Sequence, residues 1–179
     1  MAELPTSTNT ETLLLRAPVR ADGAAIHQLI QACPPLDLNS VYSYLLLAEH
    51  FGQTSVLAQT EHGRLWGYIS AYVPPDKPNV LFVWQVAVHE SARGQGLGRR
   101  MISHLLQRPA LADVQYIETT VGPSNQASRR MFQGIARALN TTIVERPLFE
   151  RRMFGAQGHE DEPLLRIGPF ESIGQLATA

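Results

Sequence analysis

The sequence predicts an α/β fold, and three observations favour it. Apolar runs of strand composition alternate with segments of helical period along most of the 179 residues. Two of these runs are joined by a short polar turn, which predicts a hairpin and therefore an antiparallel pair of strands. The longest run, residues 80–88, passes through a glycine-rich loop into an amphipathic helix. The resulting order is β-α-α-β-β-β-α-β-α-β-β.

The N-terminal half is expected to contain a strand, two helices and the hairpin. Asp22 is a candidate cap for the first helix, whose apolar face ends at Cys33 before the Pro34-Pro35 pair. Asn39 or Ser40 is the candidate cap of the second helix. In order, we expect a strand at 12–16, helices from 23 and from 41, and strands at 55–58 and 65–73. The apolar face of the second helix is expected to consist of Val41, Tyr44, Leu45, Ala48 and Phe51.

The C-terminal half alternates strands and helices. A helix from Leu97 ends before Pro109, and Ser124 is the candidate cap of a helix that runs to about residue 139. In order, we expect strands at 80–88, 116–121, 143–145, 149–154 and 164–167. Length gives a prior of one domain, over residues 13–170, with flexible tails at 1–12 and 171–179.

Charge and composition exclude several classes of function. Fifteen basic residues against sixteen acidic ones give a net charge of −1, which argues against partners such as nucleic acid or an anionic membrane. No apolar run approaches the roughly 20 residues of a membrane span. The first twelve residues are polar and acidic, unlike a signal peptide. The lone Cys33 fits a reducing, cytoplasmic compartment and is expected to be a packed thiol. We expect no metal site.

The loop between the 80–88 strand and the next helix has the composition of an anion-binding turn. Its glycines allow close approach of the backbone, and the helix start adds N–H groups and the positive end of a dipole. Arginines surround it and add full charges. The candidate cofactor-binding residues here are Val86, Ala87, Val88, Arg93, Gly94, Gln95, Gly96, Leu97, Gly98 and Arg99.

The spacing of these residues separates the loop from other phosphate-binding motifs. It lacks the Lys-Ser/Thr of a nucleotide P-loop, and the preceding strand lies too late in the chain for a dinucleotide fingerprint. Arg93, Gly96 and Gly98 match the pattern Arg/Gln-x-x-Gly-x-Gly/Ala. The segment therefore resembles motif A of the GCN5-related N-acetyltransferases. That resemblance implies acetyl-CoA as co-substrate and a central mixed sheet flanked by helices on both faces.

A second segment matches this family and also departs from it. In the family, an Asn at the start of the following helix contacts the pantetheine arm, and a Tyr seven residues later protonates the departing thiolate. Asn125 stands at the first position, with Ser128 after it, but the second position is Phe132. A Phe cannot donate a proton. Either another group assists the thiolate or the protein binds acyl-CoA without transferring from it. The alternative interpretation of Asn125 is an ordinary first-turn polar residue.

Three further segments resemble one branch of the family, the L-2,4-diaminobutyrate acetyltransferases of ectoine biosynthesis. They are Pro-Pro-Leu-Asp-Leu-Asn-Ser-Val-Tyr at 34–42, Phe-Val-Trp-Gln-Val-Ala-Val at 82–88 and His-Glu-Asp-Glu-Pro-Leu-Leu-Arg-Ile at 159–167. The resemblance implies a small diamino acid as acceptor, acetylation of its γ-amine and a homodimer. This branch also lacks the usual Tyr.

A diamino acid needs carboxylates for its ammonium groups, donors for its acid group and an apolar wall. Asp37 and Glu118 are the candidate carboxylates, Trp84 and Tyr42 the candidate wall, and Thr119, Thr120 and His159 the candidate donors. The amine must lose a proton before it attacks, and Glu118 is the leading candidate base, with His159 as the alternative. The N–H of Val86 is the candidate oxyanion donor.

Each of these residues also has a structural interpretation. Asp37 could cap the second helix, Trp84 could be core, and Glu118 and His159 could face solvent. The run from Glu160 to Glu162 is interpreted as a solvated loop face. Two other functions stay open: a non-catalytic acyl-CoA sensor, and transfer to another small amine or to a protein N-terminus.

Overall fold

The computed structural model describes residues 12–155 and 158–171. Apart from Thr12 and Glu171, the two expected tails lie outside these residues. The strands are β1 Leu13–Arg16, β2 Val56–Thr60, β3 Leu65–Tyr72, β4 Val80–Val88, β5 Tyr116–Thr120, β6 Ile143–Phe149 and β7 Glu162–Ile167. The helices are α1 Gly23–Gln31, α2 Val41–His50, α3 Leu97–Leu106 and α4 Gln126–Ala138.

One seven-stranded sheet organises the described residues, with the order β1-β2-β3-β4-β5-β7-β6. Only β4 and β5 run parallel, and the other neighbouring pairs are antiparallel, including the expected β2–β3 hairpin. The connection from β4 to β5 contains α3, as a parallel crossover requires. The last strand in sequence, β7, lies between β5 and β6. The predicted mixed sheet is confirmed.

Two hydrophobic cores form because successive residues of a strand point to opposite faces of the sheet. Leu57 and Tyr68 pack with residues of α1 and α2 in one core. Their neighbours Ala58 and Ile69 pack with residues of α3 and α4 in the other core. The helices therefore cover both faces, as the sequence predicts.

A β-bulge at Trp84 opens the middle of the sheet. Ser70 of β3 pairs with Gln85 and the next residue, Ala71, pairs with Val83, so Trp84 is the extra residue on β4. The parallel pairing of β4 with β5 ends just before it, at Val83 and Thr119. Residues 84–88 therefore diverge from β5 and leave a cleft between the two central strands. Bulges are frequent where a strand must redirect a side chain beside a binding site.

The side-chain caps expected for α1 and α4 are wrong, and the structure selects one of the two candidate caps of α2. Asp22 does not cap α1 with its side chain, because its carboxylate accepts two hydrogen bonds from Arg16 at 2.7 and 2.8 Å. Of the two candidates before α2, Ser40 is the cap, and its side chain accepts from the N–H of Ser43. At α4 the cap is Asn125 rather than Ser124.

Two strand and face predictions also differ from the structure. The buried face of α2 is formed by Tyr44, Leu47 and Ala48, while Val41, Leu45 and Phe51 are more than a third exposed. Residues 143–149 form one strand that includes Pro147, and 151–154 form a 3-10 turn instead of a strand. Pro147 is tolerated because β6 is an edge strand with a register shift between Arg146 and Phe149.

Arg108 fixes the turn between α2 and β2, and its loss is expected to destabilise the fold. Its guanidinium donates to the carbonyl oxygens of Gly52, Gln53 and Ser55 at 3.2, 3.0 and 2.6 Å. Arg108→Met should lower the free energy of unfolding by about 2 kcal/mol, because charged hydrogen bonds are lost and carbonyls are left without partners. Urea unfolding measures this. The control is Arg64→Met at an exposed hairpin turn; equal stability of both variants would contradict the prediction.

Among the described residues no helix combines the length and the apolar character that crossing a membrane requires.

Candidate active site

The loop between α1 and α2 is held against the cleft by hydrogen bonds to buried side chains. Gln85 on β4 is 6% exposed, and its Nε2 donates to the carbonyl oxygen of Asp37 at 2.8 Å. The N–H of Asn39 donates to the hydroxyl of Tyr44 at 3.2 Å. These contacts fix the backbone of Asp37 beside the bulged strand and leave its carboxylate free to face the cleft.

The structure brings Asp37 and His159 together, although they are far apart in sequence. His159 Nε2 lies 3.8 Å from Asp37 Oδ2. The imidazole stacks on Phe154 with ring centroids 4.0 Å apart, and its Nδ1 lies 2.8 Å from the carbonyl oxygen of Glu160. The Asp37 side chain is 84% exposed and does not cap α2. Both residues thus border one opening between the α1–α2 loop and the β6–β7 loop.

Glu118 is buried and has two cationic partners. Its side chain is 4% exposed, it forms an ion pair with Arg166 on the neighbouring strand, and its Oε2 lies 3.3 Å from Lys77 Nζ. The Arg166 guanidinium also lies 3.8 Å from the centre of the Tyr116 ring. Both carboxylate oxygens of Glu118 thus contact cationic side chains of the fold, Oε1 that of Arg166 and Oε2 that of Lys77. The geometry therefore favours a structural role for Glu118 over the predicted role as base.

The remaining predicted acceptor-site residues differ in their position. Thr119 is 2% exposed, and it lies on the same face of β5 as Ile117, which belongs to the α3–α4 core. Thr120 lies on the opposite face of β5, the face that also carries Glu118. Trp84 is 44% exposed at the bulge, which is consistent with a wall of the cleft. Tyr42, on the first turn of α2, is 66% exposed.

The run from Glu160 to Glu162 is only in part the predicted solvated face, because Asp161 is exposed whereas Glu160 and Glu162 are partly buried. Glu160 accepts a hydrogen bond from the Ser124 hydroxyl at 2.6 Å, and Asp161 accepts one from the N–H of Arg151 at 2.7 Å. Glu162 is partly buried against Thr120. Sequence analysis missed Glu162. No local signal could have selected it, because its position follows from the register of β7 against β5, in which Leu164 pairs with Thr120.

The glycine-rich loop has the conformation that an anion site needs. Gly94 and Gly96 have φ angles of +74° and +72°, and Gly96 is the N-cap of α3. Arg93 Nε donates to the carbonyl oxygen of Val88 at 3.1 Å, and Gln95 Nε2 donates to that of Ser91 at 2.9 Å. These side chains brace the turn, while the first N–H groups of α3 have no partners within the helix.

The start of α3 lies directly against α4. A Cβ at Gly98 would overlap the Sδ atom of Met131, so a larger residue at position 98 would force the Met131 side chain to move. The Arg99 side chain extends between Gly96 and Gly134. Asn125 Oδ1 accepts from the N–H of Ser128 at 3.1 Å, which leaves the Asn125 amide NH₂ for another partner. Phe132 is 2% exposed and packs in the core.

No group of three or more His, Cys, Asp or Glu side chains in residues 12–155 and 158–171 is arranged to hold a metal ion.

Comparison with known proteins identifies the family. Over 156 residues the chain is 58% identical to L-2,4-diaminobutyric acid acetyltransferase of Bordetella parapertussis, covering 87% of this chain and 84% of that protein. It is 44% identical over 170 residues to the enzyme of the same name from Methylotuvimicrobium alcaliphilum, covering 95% and 98% of the two chains.

A solved structure and a family model support the same family. Diaminobutyrate acetyltransferase EctA from Paenibacillus lautus, in complex with L-2,4-diaminobutyric acid and coenzyme A, superposes with a TM-score of 0.86 at 43% identity, covering 89% of this chain and 96% of that one. Residues 23–139, which include the glycine-rich loop and α4, match the acetyltransferase (GNAT) family model. The chain belongs to the GNAT family of acetyltransferases.

Proposed function

We propose that this protein transfers the acetyl group of acetyl-CoA to the γ-amine of L-2,4-diaminobutyrate, giving N4-acetyl-L-2,4-diaminobutyrate for the synthesis of the osmolyte ectoine. The observation that carries the proposal is the 58% identity to a diaminobutyrate acetyltransferase across most of both chains. The 43% identical structure that holds diaminobutyrate and coenzyme A supports it further.

The charges around the cleft suit such a substrate. Diaminobutyrate carries two ammonium groups, and the cleft is bordered by Asp37 and by the β7 segment that begins at Glu162. Trp84, exposed at the bulge, supplies an apolar surface for the short carbon chain. The glycine-rich loop at α3 supplies N–H groups for the diphosphate of acetyl-CoA. Donor and acceptor then meet where β4 diverges from β5.

The reaction is a direct attack in a ternary complex. The neutral γ-amine adds to the thioester carbonyl, and the proposed donor to the oxyanion is the N–H of Val86 on the diverging part of β4. The C–S bond then breaks and CoA leaves as the thiolate. Phe132 has no proton to give, so the thiolate takes up a proton from another source, such as the nitrogen that has just been acylated.

A thiol-release assay with a panel of amines tests the proposal. L-2,4-diaminobutyrate should give the highest kcat/KM, and 2-aminobutyrate, which lacks the γ-amine, should release no thiol. Lysine peptides and protein α-amines should fall short by at least about 1000-fold in kcat/KM, since a site built to pair the charged groups of a small diamino acid rejects ligands that leave those groups unpaired. Turnover of a peptide at the same rate would overturn the proposal. Acetyl-CoA binding without thiol release for any amine would favour a sensor.

We further propose that the enzyme is a cytoplasmic homodimer. The family resemblance and the exposed apolar residues Val144, Leu148 and Phe149 on the edge strand β6 support self-association, and the free, buried Cys33 fits a reducing compartment. Sedimentation equilibrium should give twice the chain mass of 19.8 kDa. A monomer at micromolar concentration would contradict it.

A further inference from the structure

We propose that Glu162, at the first position of β7, is the general base that removes a proton from the acceptor ammonium. The proposal rests on the function given above and assigns one step of it. It moves the role of base from Glu118, where sequence analysis placed it, to a carboxylate that the sequence alone gave no reason to select.

Strand register places Glu162 at the mouth of the cleft. Arg166 pairs with Glu118 and Leu164 pairs with Thr120, so alternate residues of β7 share a face with alternate residues of β5. Glu162 lies two residues before Leu164 on the same face of β7, so it is level with a position just beyond Thr120, the last residue of β5. It therefore lies on the face that carries Glu118, at the end of the sheet where β4 has already separated from β5.

The neighbours of Glu162 come from each element that borders the opening. Thr120 of β5, whose strand partner is Leu164, lies beside its carboxylate, and His159 and Glu160 belong to the segment that leads into β7. Asp37 approaches from the α1–α2 loop, and Arg129 of α4 is near enough to interact electrostatically. Arg129 itself is bound to Glu145 at 3.0 and 3.1 Å. Thus Glu162, unlike Glu118, has no cation in direct contact among the described residues.

This environment raises the pKa of Glu162 above its ordinary value. Burial is the largest cause, and the charges of Glu160 and Asp37 act in the same direction, while Thr120 and His159 oppose them. A carboxylate with a raised pKa is a stronger base, and one that shares its site with a second carboxylate attracts an ammonium. Glu118, in contrast, is already bound by Arg166 and Lys77.

Each proton that leaves the substrate nitrogen has an acceptor in this scheme. The Glu162 carboxylate takes one proton from the γ-ammonium, and the free amine forms the new N–C bond at the thioester carbonyl. When the C–S bond breaks, the thiolate leaves with the electron pair, and the acylated nitrogen loses its second proton to it, giving the amide and CoA thiol. Protonated Glu162 then releases its proton to solvent. His159, stacked on Phe154 and facing Asp37, holds the wall of the site.

Glu162→Gln tests the proposal, because glutamine keeps the size of the side chain and cannot accept the proton. In a thiol-release assay at pH 7.5, we expect kcat to fall at least about 100-fold, the usual contribution of a general base. Acetyl-CoA affinity measured by calorimetry should stay within about twofold of wild type. In a plot of kcat/KM against pH, the wild-type enzyme should lose activity as the pH falls towards a pKa that lies above the ordinary value for Glu. This loss should be absent in the variant. Activity should recover steeply towards pH 10, where the substrate amine loses its proton unaided.

Two comparison variants make the outcome decisive. Glu162→Asp should regain part of kcat, and the control Asp161→Asn, which keeps the acceptor for Arg151, should behave as wild type. A Glu162→Gln variant with wild-type kcat and an unchanged pH profile would overturn the proposal. If wild-type enzyme itself released no thiol with diaminobutyrate, the proposed function would fail instead, and the two failures are distinguishable.

Discussion

Gly96→Val is expected to weaken acetyl-CoA binding at least about 100-fold, equivalent to about 2.8 kcal/mol. Gly96 caps α3 with a φ angle of +72°, a conformation that costs a β-branched residue about 1–2 kcal/mol or more. The Cβ of the new side chain would also lie 3.4 Å from Arg99 Nη2, and the methyl groups would narrow the approach of an anion to the first turn of the helix. Titration calorimetry measures the change.

A matched control separates backbone strain from loss of the binding surface. Gly63 has a φ angle of +82° in the β2–β3 turn, away from the glycine-rich loop. Gly63→Val should therefore lose similar stability and keep wild-type affinity for acetyl-CoA. If Gly96→Val bound acetyl-CoA as tightly as Gly63→Val does, the loop would not be the diphosphate site.

Arg166→Met is expected to lower the free energy of unfolding by about 3 kcal/mol, because it leaves the buried carboxylate of Glu118 with only Lys77 as a partner. Lys77 is 45% exposed, so Lys77→Met is the matched control and should cost less than about 1 kcal/mol. Urea unfolding monitored by tryptophan fluorescence measures both. Equal stability of Arg166→Met and wild type would contradict the structural role assigned to this ion pair.

The periodic and local features of this chain were predictable from its sequence. The predicted strand at 80–88 has the same bounds in the structure, because eight of its nine residues are apolar and turn signals flank the run. The glycine-rich loop and the start of α3 follow from the spacing of Gly94, Gly96 and Gly98. That motif predicted the family because it is both local and specific, and the match to the family model confirms the assignment.

Features that depend on tertiary contacts were not predictable. Asp22 has the residue type of a helix cap, but a bidentate pair with Arg16 on the adjacent strand competes for its carboxylate. The run from Glu160 to Glu162 has the composition of a solvated loop, yet Glu160 accepts a hydrogen bond from Ser124 and Glu162 is partly buried, while Asp161 is exposed. The bulge at Trp84 has no local signal, since it is defined by the register of β4 against β3.

The roles of individual site residues stay predictions of two kinds. For Asp37, Trp84, His159 and Asn125, the structure supplies positions consistent with the roles expected from the resemblance. For Glu118, the ion pairs with Arg166 and Lys77 favour a structural role, and for Thr119 burial on the opposite face favours Thr120 as the donor. Burial and pairing cannot be read from residue type, because one sequence pattern fits both a free and a bound carboxylate.

The most direct test of the account is proton NMR of the product formed from acetyl-CoA and L-2,4-diaminobutyrate. Acetylation at the γ-amine should give one product, in which the γ-methylene protons couple to a new amide proton and the α-proton keeps the shift of a free amino acid. Acetyl found on the α-nitrogen, or no acetylated diaminobutyrate at all while acetyl-CoA binds normally, would contradict it.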